Sequence, residues 1–413
     1  MYNKSMKIWI VFVGETLPID DNFRNWRYSM LVEELIDRGH KVVRFAPSLN
    51  HSSKKQRCTK DTSYKLSKGY SLKIIKTPAY EKNVGISRII SYQYFSRRLL
   101  KTMRGDNEIP DVILTAIPSP GIFNSVMSFA QEEDVPVVLD IRDIWPDVFF
   151  SKFNPYFSKL LNYGYRKLVY NICADIQNVR GITGVSEEYV NWAKNCVHSK
   201  EIASKVFPIG YKTPTISKKE RCTIRNELKV LGVNENDFLC TFVGQLSTTY
   251  DIETLITVSK MFRNTNTKIV ICGTGEKQPQ VDSGLKNNDN LIYLGWISQE
   301  TISILLEMSS VGLVSYAQNA TQSLPNKPFE YMAYSLPLIS SLRGELDMII
   351  DKKKNGLKYT AGSTVELYNA IEYLQKNEEV RLEMRKISFE LFVKKYSNKT
   401  IYPLMADFIE SMS

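Results

Sequence analysis

Short apolar runs alternate along the whole chain with longer stretches whose apolar residues recur at helical spacing. Ile8-Trp9-Ile10-Val11-Phe12-Val13 predicts a buried strand over 8–13, followed by a loop over 14–25, a helix over 26–38 and a strand over 41–46. This is the βαβ order of a parallel sheet. Strand 111–116, a turn at 117–121, helix 122–132 and strand 135–139 continue it. Helices within 155–177, a short strand over 181–186 and a helix over 187–196 capped by Ser186 follow. Residues 47–72 are polar and predict an irregular surface loop. In the segment Val206 to Pro214, two prolines and a glycine interrupt the pattern, which places a domain boundary there. Beyond it the alternation restarts with strands over 238–243, 268–272, 291–294 and 311–315, the first three ending in Gly244, Gly273 and Gly295. The pattern predicts two successive doubly wound α/β domains, 1–208 and 209–395, with a cleft between them and a final helical segment over 396–413 returning to the first domain.

Ser87 to Arg104 has its own signature. Ile86, Ile89, Ile90, Tyr94, Leu99 and Leu100 recur at roughly helical spacing, and Arg88, Arg97, Arg98, Lys101 and Arg104 supply a basic face. The commoner outcome for such a helix is packing on its own sheet; the other is contact with an anionic membrane interface.

Composition narrows the class. The chain has 413 residues, 43% hydrophobic and 24% charged, which suits two soluble domains. No stretch approaches the roughly 18 to 20 apolar residues of a membrane span. The first strand is too short for a signal segment, so a cytoplasmic chain is expected. Cys58, Cys173, Cys196, Cys222, Cys240 and Cys272 lack C-x-x-C spacing, so reduced thiols are expected. A net charge of +10 favours polyanions or an anionic membrane surface. No nucleic-acid motif accompanies it, and three histidines leave little room for histidine-based metal chemistry.

Two stretches concentrate chemistry. Strand 135–139 runs into Asp140-Ile141-Arg142-Asp143-Ile144-Trp145-Pro146-Asp147, where charges at the carboxyl end of a central strand must be paired or serve a ligand. An Arg142–Asp143 ion pair is the structural alternative there. The second stretch is Ser323 to Ser341. Pro328 suits a first helical turn, Phe329, Met332 and Ala333 share an apolar face, and Leu338-Ile339 begins a strand. The N–H groups of Asn326 and Lys327, with the lysine ammonium, form an anion site at the positive end of that helix. Glu330 in the same turn can accept two hydrogen bonds from a ribose. An ordinary first-turn Glu beside a solvated Lys is the plain alternative.

The order and spacing of these motifs resemble the family-4 retaining glycosyltransferases of the GT-B architecture, in particular the fucosamine-transferase branch of bacterial O-antigen and capsule pathways. The resemblance spans nearly the whole chain. It rests on Gly14 with Arg27, Asp140 to Pro146, Ile182 to Ser186, Phe242-Val243-Gly244, Cys272 to Glu276, Tyr293 to Trp296, and Pro325-Asn326-Lys327 with Glu330 to Ala333. It implies a nucleotide-sugar donor, first of all a UDP-sugar, bound by the second domain, with no cofactor and no metal. Glu330 would hold the ribose, and Asn326 and Lys327 the diphosphate. Backbone near Trp296 and Ile297 would meet the base, and Ser323, Leu324 and Pro325 the sugar. Gly14, Gly244, Gln245, Gly273, Gly275 and Gln322 complete the donor contacts. Arg27, Asp140 and Trp145 would lie on the acceptor side, facing a lipid-linked or oligosaccharide acceptor. Lys327, Glu330, Asp143 and Arg142 are the candidate catalytic residues.

The chain departs from that family at three points. Gln322 stands where an E-x7-E pattern has its first carboxylate, Gln245 and Tyr250 stand where two cations are frequent, and Arg142 stands at a frequent histidine. Lys327 is then left with most of the charge. No D-x-D motif is present. The resemblance places the protein on the inner face of the cytoplasmic membrane. A sugar-nucleotide epimerase and a non-catalytic nucleotide-sugar-binding partner remain the alternatives.

Overall fold

The computed structural model describes residues 5–21, 23–82, 85–117, 120–143, 173–197, 202–320, 322 and 324–413. The chain forms two compact units, 1–208 with 401–413, and 209–400.

Unit 1 is built on β1 (Lys7–Val11), β2 (Lys41–Pro47), β3 (Thr62–Lys65), β4 (Tyr70–Ile75), β5 (Val112–Ile117), β6 (Val137–Ile141), β7 (Gly181–Gly184) and β8 (Ala203–Val206), in the order β3-β4-β2-β1-β5-β6-β7-β8. All neighbours are parallel except β3 and β4. In β1, Ile8 lies opposite both Val42 and Val112, so the strand is sandwiched at the sheet centre and needs side chains that are apolar on both faces. Helices α1 (Arg27–Asp37), α2 (Ile86–Arg104), α3 (Pro120–Glu132) and α4 (Glu187–Asn195) cover the sheet. The C-terminal helix Asn398–Glu410 adds Ile401, Tyr402, Met405 and Ile409 to the core of Ile8, Ile10, Leu31, Leu114 and Val138. Its anchor is polar as well: Arg38 reaches Asp407 at 2.6 Å and Glu410 at 3.0 Å. The Met6 N–H donates to His40 Nδ1, so the His40 proton sits on Nε2 and is shared with Glu410 at 2.9 Å.

Three expectations are corrected in this unit. Within the expected irregular loop 47–72, residues 62–65 form β3 and residues 70–72 open β4, which runs on to Ile75. Tyr70, Leu72 and Ile74 point inward between polar residues, while β3 is an edge strand of Thr, Ser, Tyr and Lys with no apolar run to betray it. In α2 the inward face is Ser91, Phe95, Ser96, Leu99 and Met103, and the isoleucines lie outside. Finally, Cys173 and Cys196 are joined as a disulfide, with Cα atoms 4.7 Å apart; a pair separated by 23 residues leaves no spacing signal. Cys58, Cys222, Cys240 and Cys272 are free thiols.

Unit 2 has an all-parallel sheet of β9 (Phe238–Val243), β10 (Thr267–Cys272), β11 (Leu291–Gly295), β12 (Val311–Val314), β13 (Leu338–Ser340) and β14 (Gly356–Lys358), in the order β11-β10-β9-β12-β13-β14. Strand order reverses between β9 and β12, and ligands of such sheets bind beyond the carboxyl ends at that reversal. Helices α5 (Lys218–Val230), α6 (Ile252–Met261), α7 (Gln278–Gly284), α8 (Gln299–Met308), α9 (Lys327–Ala333), α10 (Glu345–Lys353), α11 (Thr364–Lys376) and α12 (Glu378–Leu391) flank it. The two-residue period of the strands divides the core: Leu239, Val243 and Val270 face one layer, and Cys240, Phe242, Ile269 and Ile271 the other. Among the described residues no helix is long and apolar enough to cross a membrane.

Candidate active site

Lys327 opens α9 and Pro328 follows at the next position, where its missing N–H leaves no bond unmade. The helix turns its buried side chains, Phe329, Tyr331 and Met332, into the core, which fixes the axis on which Lys327 and Glu330 ride. One turn apart, these two meet: Lys327 Nζ donates to Glu330 Oε2 at 2.5 Å. The lysine side chain is 22% exposed and the carboxylate 8%, so the pair is partly withdrawn from water, and the ammonium is its open end. The Asn326 and Lys327 N–H groups share that end; Pro328 has none, and the Phe329 and Glu330 N–H groups donate to Asn326 O at 3.1 and 3.3 Å.

Tyr331 ties α9 to the sheet, because the Val243 N–H at the end of β9 donates to its hydroxyl at 2.9 Å. From there the loops beyond β9, β10 and β11 interlock. The Gly244 N–H donates to Cys272 O at 3.0 Å, the Gly273 N–H to Gly295 O at 2.6 Å, and the Leu246 N–H to Thr274 O at 2.9 Å. Cys272, at the end of β10, lies in the field of the Lys327–Glu330 pair: burial raises its thiol pKa, Lys327 pulls it down and Glu330 pushes it up. Strand ends β9 to β11 and the start of α9 are thereby one locus in unit 2.

The glycines here answer to the protein itself. A Cβ on Gly273 would sit 1.7 Å from Gly244 O, and its φ is +132°; a Cβ on Gly275 would sit 2.4 Å from Leu246 O. Their bare faces are filled by the neighbouring loop, so glycine is required there before any ligand arrives. Gly244 is half-buried against Phe242, and Gln245 is exposed beside it. Trp296 is 66% exposed just past β11, whereas Ile297 packs on the core. The Leu324 side chain is buried in the core, so that residue would meet a ligand through its backbone. Gln322 Oε1 is enclosed and has no partner among the described residues. Ser323 and Trp145 lie outside the described residues.

Sequence reasoning missed two groups at this locus. Tyr211, in the segment between β8 and α5, lies near Glu330: burial and then that carboxylate push its hydroxyl pKa up, and its hydroxyl is 3.5 Å from that of Tyr334. Lys277 Nζ donates to Tyr250 O at 2.8 Å and to Glu253 at 2.9 Å, placing a cation beside Tyr250, where the resemblance had found one missing. Neither has a local signal in the sequence.

In unit 1 the expected acceptor residues are placed differently. Arg27 and Asp140 are fully buried and joined by two hydrogen bonds, Nε to Oδ2 at 2.8 Å and Nη2 to Oδ1 at 2.9 Å. The Tyr28 and Thr183 hydroxyls each donate to the same carboxylate at 2.7 Å, and Arg27 Nη1 donates to Phe207 O at 2.6 Å. Burial raises the Asp140 pKa, yet Arg27 outweighs it and holds the carboxyl below its usual range. Their side chains face each other in the interior and not an acceptor. Arg142 pairs with Glu15 at 2.6 Å, not with Asp143, and stacks on the Phe12 and Tyr28 rings. Glu15 also takes the buried Arg44 at 3.2 Å. Gly14 turns the chain just before Glu15 with φ +117°. Asp143 lies close enough to Tyr189 to raise its hydroxyl pKa, after burial. Among the described residues no three His, Cys, Asp or Glu side chains converge as metal ligands.

Residues 223–390 match the family described as Glycosyl transferases group 1. No curated protein matches the chain in sequence. The fold matches solved structures over nearly the full length of both chains. Sucrose-phosphate synthase from Thermosynechococcus elongatus has a TM-score of 0.73 at 14% identity, covering 98% of this chain and 99% of that one. Anabaena HepE in complex with UDP has a TM-score of 0.68 at 12% identity, covering 98% and 100%. WaaG, a glycosyltransferase involved in lipopolysaccharide biosynthesis, has a TM-score of 0.66 at 13% identity, covering 97% and 99%. Residues 223–390, within unit 2, thus match the glycosyl transferases group 1 family, and the chain has the two-domain parallel-sheet fold of GT-B structures.

Proposed function

We propose that the protein is a metal-independent retaining glycosyltransferase that moves a hexosyl or N-acetylhexosaminyl group from a nucleotide sugar to a lipid-linked or polysaccharide acceptor, in bacterial surface-glycan synthesis at the inner face of the cytoplasmic membrane. The observation that carries the reading is the Lys327–Glu330 pair at the start of α9, beside the ends of β9 to β11, inside the segment that matches the family. A nucleoside diphosphate divides that pair's two functions: Glu330 accepts from the ribose hydroxyls, while the Lys327 ammonium and the Asn326 and Lys327 N–H groups take the diphosphate. The HepE structures hold UDP and UDP-glucose, which makes a UDP-sugar the first donor to try.

As the anomeric C–O bond breaks, negative charge grows on the leaving diphosphate, and a fixed ammonium with oriented N–H groups stabilises it. The acceptor hydroxyl oxygen bonds to the same face of the anomeric carbon, and its proton passes to the departing phosphate oxygen. No strong protein base is needed for that step. The test is transfer from UDP-, GDP- and TDP-sugars to a lipid-linked acceptor by the purified protein. Transfer by the wild type and its loss in Lys327→Ala are expected; epimerised sugar from donor alone, or no turnover with any donor, contradicts the reading.

A further inference from the structure

Helix α2 turns Ser91, Phe95, Ser96, Leu99 and Met103 inward and leaves its isoleucines outside. Ser96 Oγ donates to Gly121 O at 2.5 Å and lies 2.7 Å from Ser125 Oγ, so α2 packs closely on α3 through hydroxyls. Ser91 Oγ donates to Pro78 O at 2.8 Å. On the opposite side Ile86, Ile89, Ile90 and Tyr94 are 77%, 56%, 55% and 44% exposed. Positions 86, 89, 90, 93, 94, 97 and 101 form a single outward stripe at helical spacing, with Ile86, Ile89, Ile90 and Tyr94 apolar, Gln93 polar between them, and Arg97 and Lys101 basic.

The charges on the helix itself have one sign. The helix carries Arg88, Arg97, Arg98, Lys101 and Arg104 and no Asp or Glu. Arg98 and Arg104 reach back to Asp61 and Glu132, while Arg97 and Lys101 project from the outward stripe. The loop bearing Lys54 sits against the start of the helix: Tyr80 lies under Lys54 Nζ at 4.7 Å and meets Tyr92 edge-on, and Arg88 stacks over Tyr92 at 4.9 Å. Burial, then the charges of Lys54 and Arg88, hold the His51 pKa down at about 4.

We infer that the outward stripe of α2 is a docking surface for an anionic lipid bilayer, with Ile86, Ile89, Ile90 and Tyr94 entering the headgroup–acyl boundary and Arg97, Lys101 and the Arg88–Lys54 end meeting lipid phosphates. Charge complementarity selects this occupant. Exposed isoleucines alone would fit any apolar partner, but a stripe flanked by cations with no acid in the helix fits a surface that is both apolar and negative. A tyrosine at the stripe's midpoint, apolar body with polar tip, suits the interfacial depth. The inference deepens the membrane part of the function proposed above and leaves its sugar chemistry aside.

The test is co-sedimentation of the full chain with vesicles of phosphatidylcholine alone and with 30% phosphatidylglycerol, about 0.1 M salt, and no sugar nucleotide. Expected is binding to the anionic vesicles only, weakened at least tenfold by Ile86→Ser/Ile89→Ser/Ile90→Ser. Arg97→Gln/Lys101→Gln should weaken it by about fivefold per charge and reduce its salt dependence. Both variants change exposed positions, and unchanged melting curves verify that they fold. Equal binding to neutral vesicles, no binding to either, or a dimer in sedimentation equilibrium that the triple serine variant abolishes would each overturn the inference. Donor-dependent transfer to a water-soluble acceptor is assayed separately, so the membrane surface and the transferase reading fail independently.

Discussion

Replacing Asp140 by Asn tests whether the charged residues at the end of β6 serve an acceptor or the interior of unit 1. Asp140 accepts from Arg27 twice, from Tyr28 and from Thr183 at 2.7–2.9 Å, and neither it nor Arg27 has exposed side-chain surface. Asn keeps the shape but removes the charge and turns an N–H₂ toward donors, leaving a guanidinium buried without its counter-charge. Breaking such a pair costs about 3–5 kcal/mol. For a domain of about 200 residues each kcal/mol moves the midpoint by about 2–4 °C, so the unit 1 transition should fall on the order of 10 °C in calorimetry.

The pH dependence has a definite sign. Asp140 is held below the usual carboxylate range in the folded chain, with Arg27 overcoming burial. Its contribution is therefore present above the unfolded value of about 3.9 and is lost as pH falls through the lower folded value. The gap between wild type and Asp140→Asn should narrow below about pH 4. Nucleotide affinity, which the proposed function assigns to unit 2, should be unchanged. If the variant melted like the wild type and lost only acceptor turnover, Asp140 would face the acceptor and the buried-pair reasoning would be wrong.

Further outcomes follow from other contacts. Tyr331→Phe removes the acceptor of the Val243 N–H, a buried donor, and should cost about 1–3 kcal/mol in urea unfolding; an unchanged midpoint would contradict that hydrogen bond. Gly273→Ala drives a Cβ to 1.7 Å from Gly244 O at a φ that disfavours side chains, so nucleotide binding measured by calorimetry should be lost, and retained affinity would refute the interlocked loops. Glu15→Gln leaves the buried Arg44 without its carboxylate and should lower the melting point in a thermal scan, whereas an unchanged melting point would place Arg44's partner elsewhere.

How far the sequence reveals the molecule depends on where each signal resides. Strands such as 238–243 are legible because a parallel strand buried on both faces must be apolar throughout, and the reversal of strand order lies where glycines end those runs. Strands β3 and β4 are not legible, since an edge pair alternates polar and apolar residues and needs no continuous run. In α2 the isoleucine periodicity is real, but periodicity names a stripe without saying which stripe faces the protein; the close approach of Ser96 to Gly121 decides it. Lys327 and Glu330 are legible because one helical turn brings them together. The partner of Arg142 is Glu15, 127 residues away, and no local spacing predicts it.

The central claim is that Lys327 and Glu330 form the diphosphate and ribose ends of a donor site. It is tested most directly by titrating UDP, GDP and TDP, and uridine as the phosphate-free control, into wild type and Lys327→Ala by calorimetry. Charge-assisted hydrogen bonds of about 1.5–3 kcal/mol predict that the variant binds the preferred nucleoside diphosphate roughly 10- to 100-fold more weakly. The nucleoside control should bind both proteins alike. Equal diphosphate affinity in the two proteins would contradict the claim.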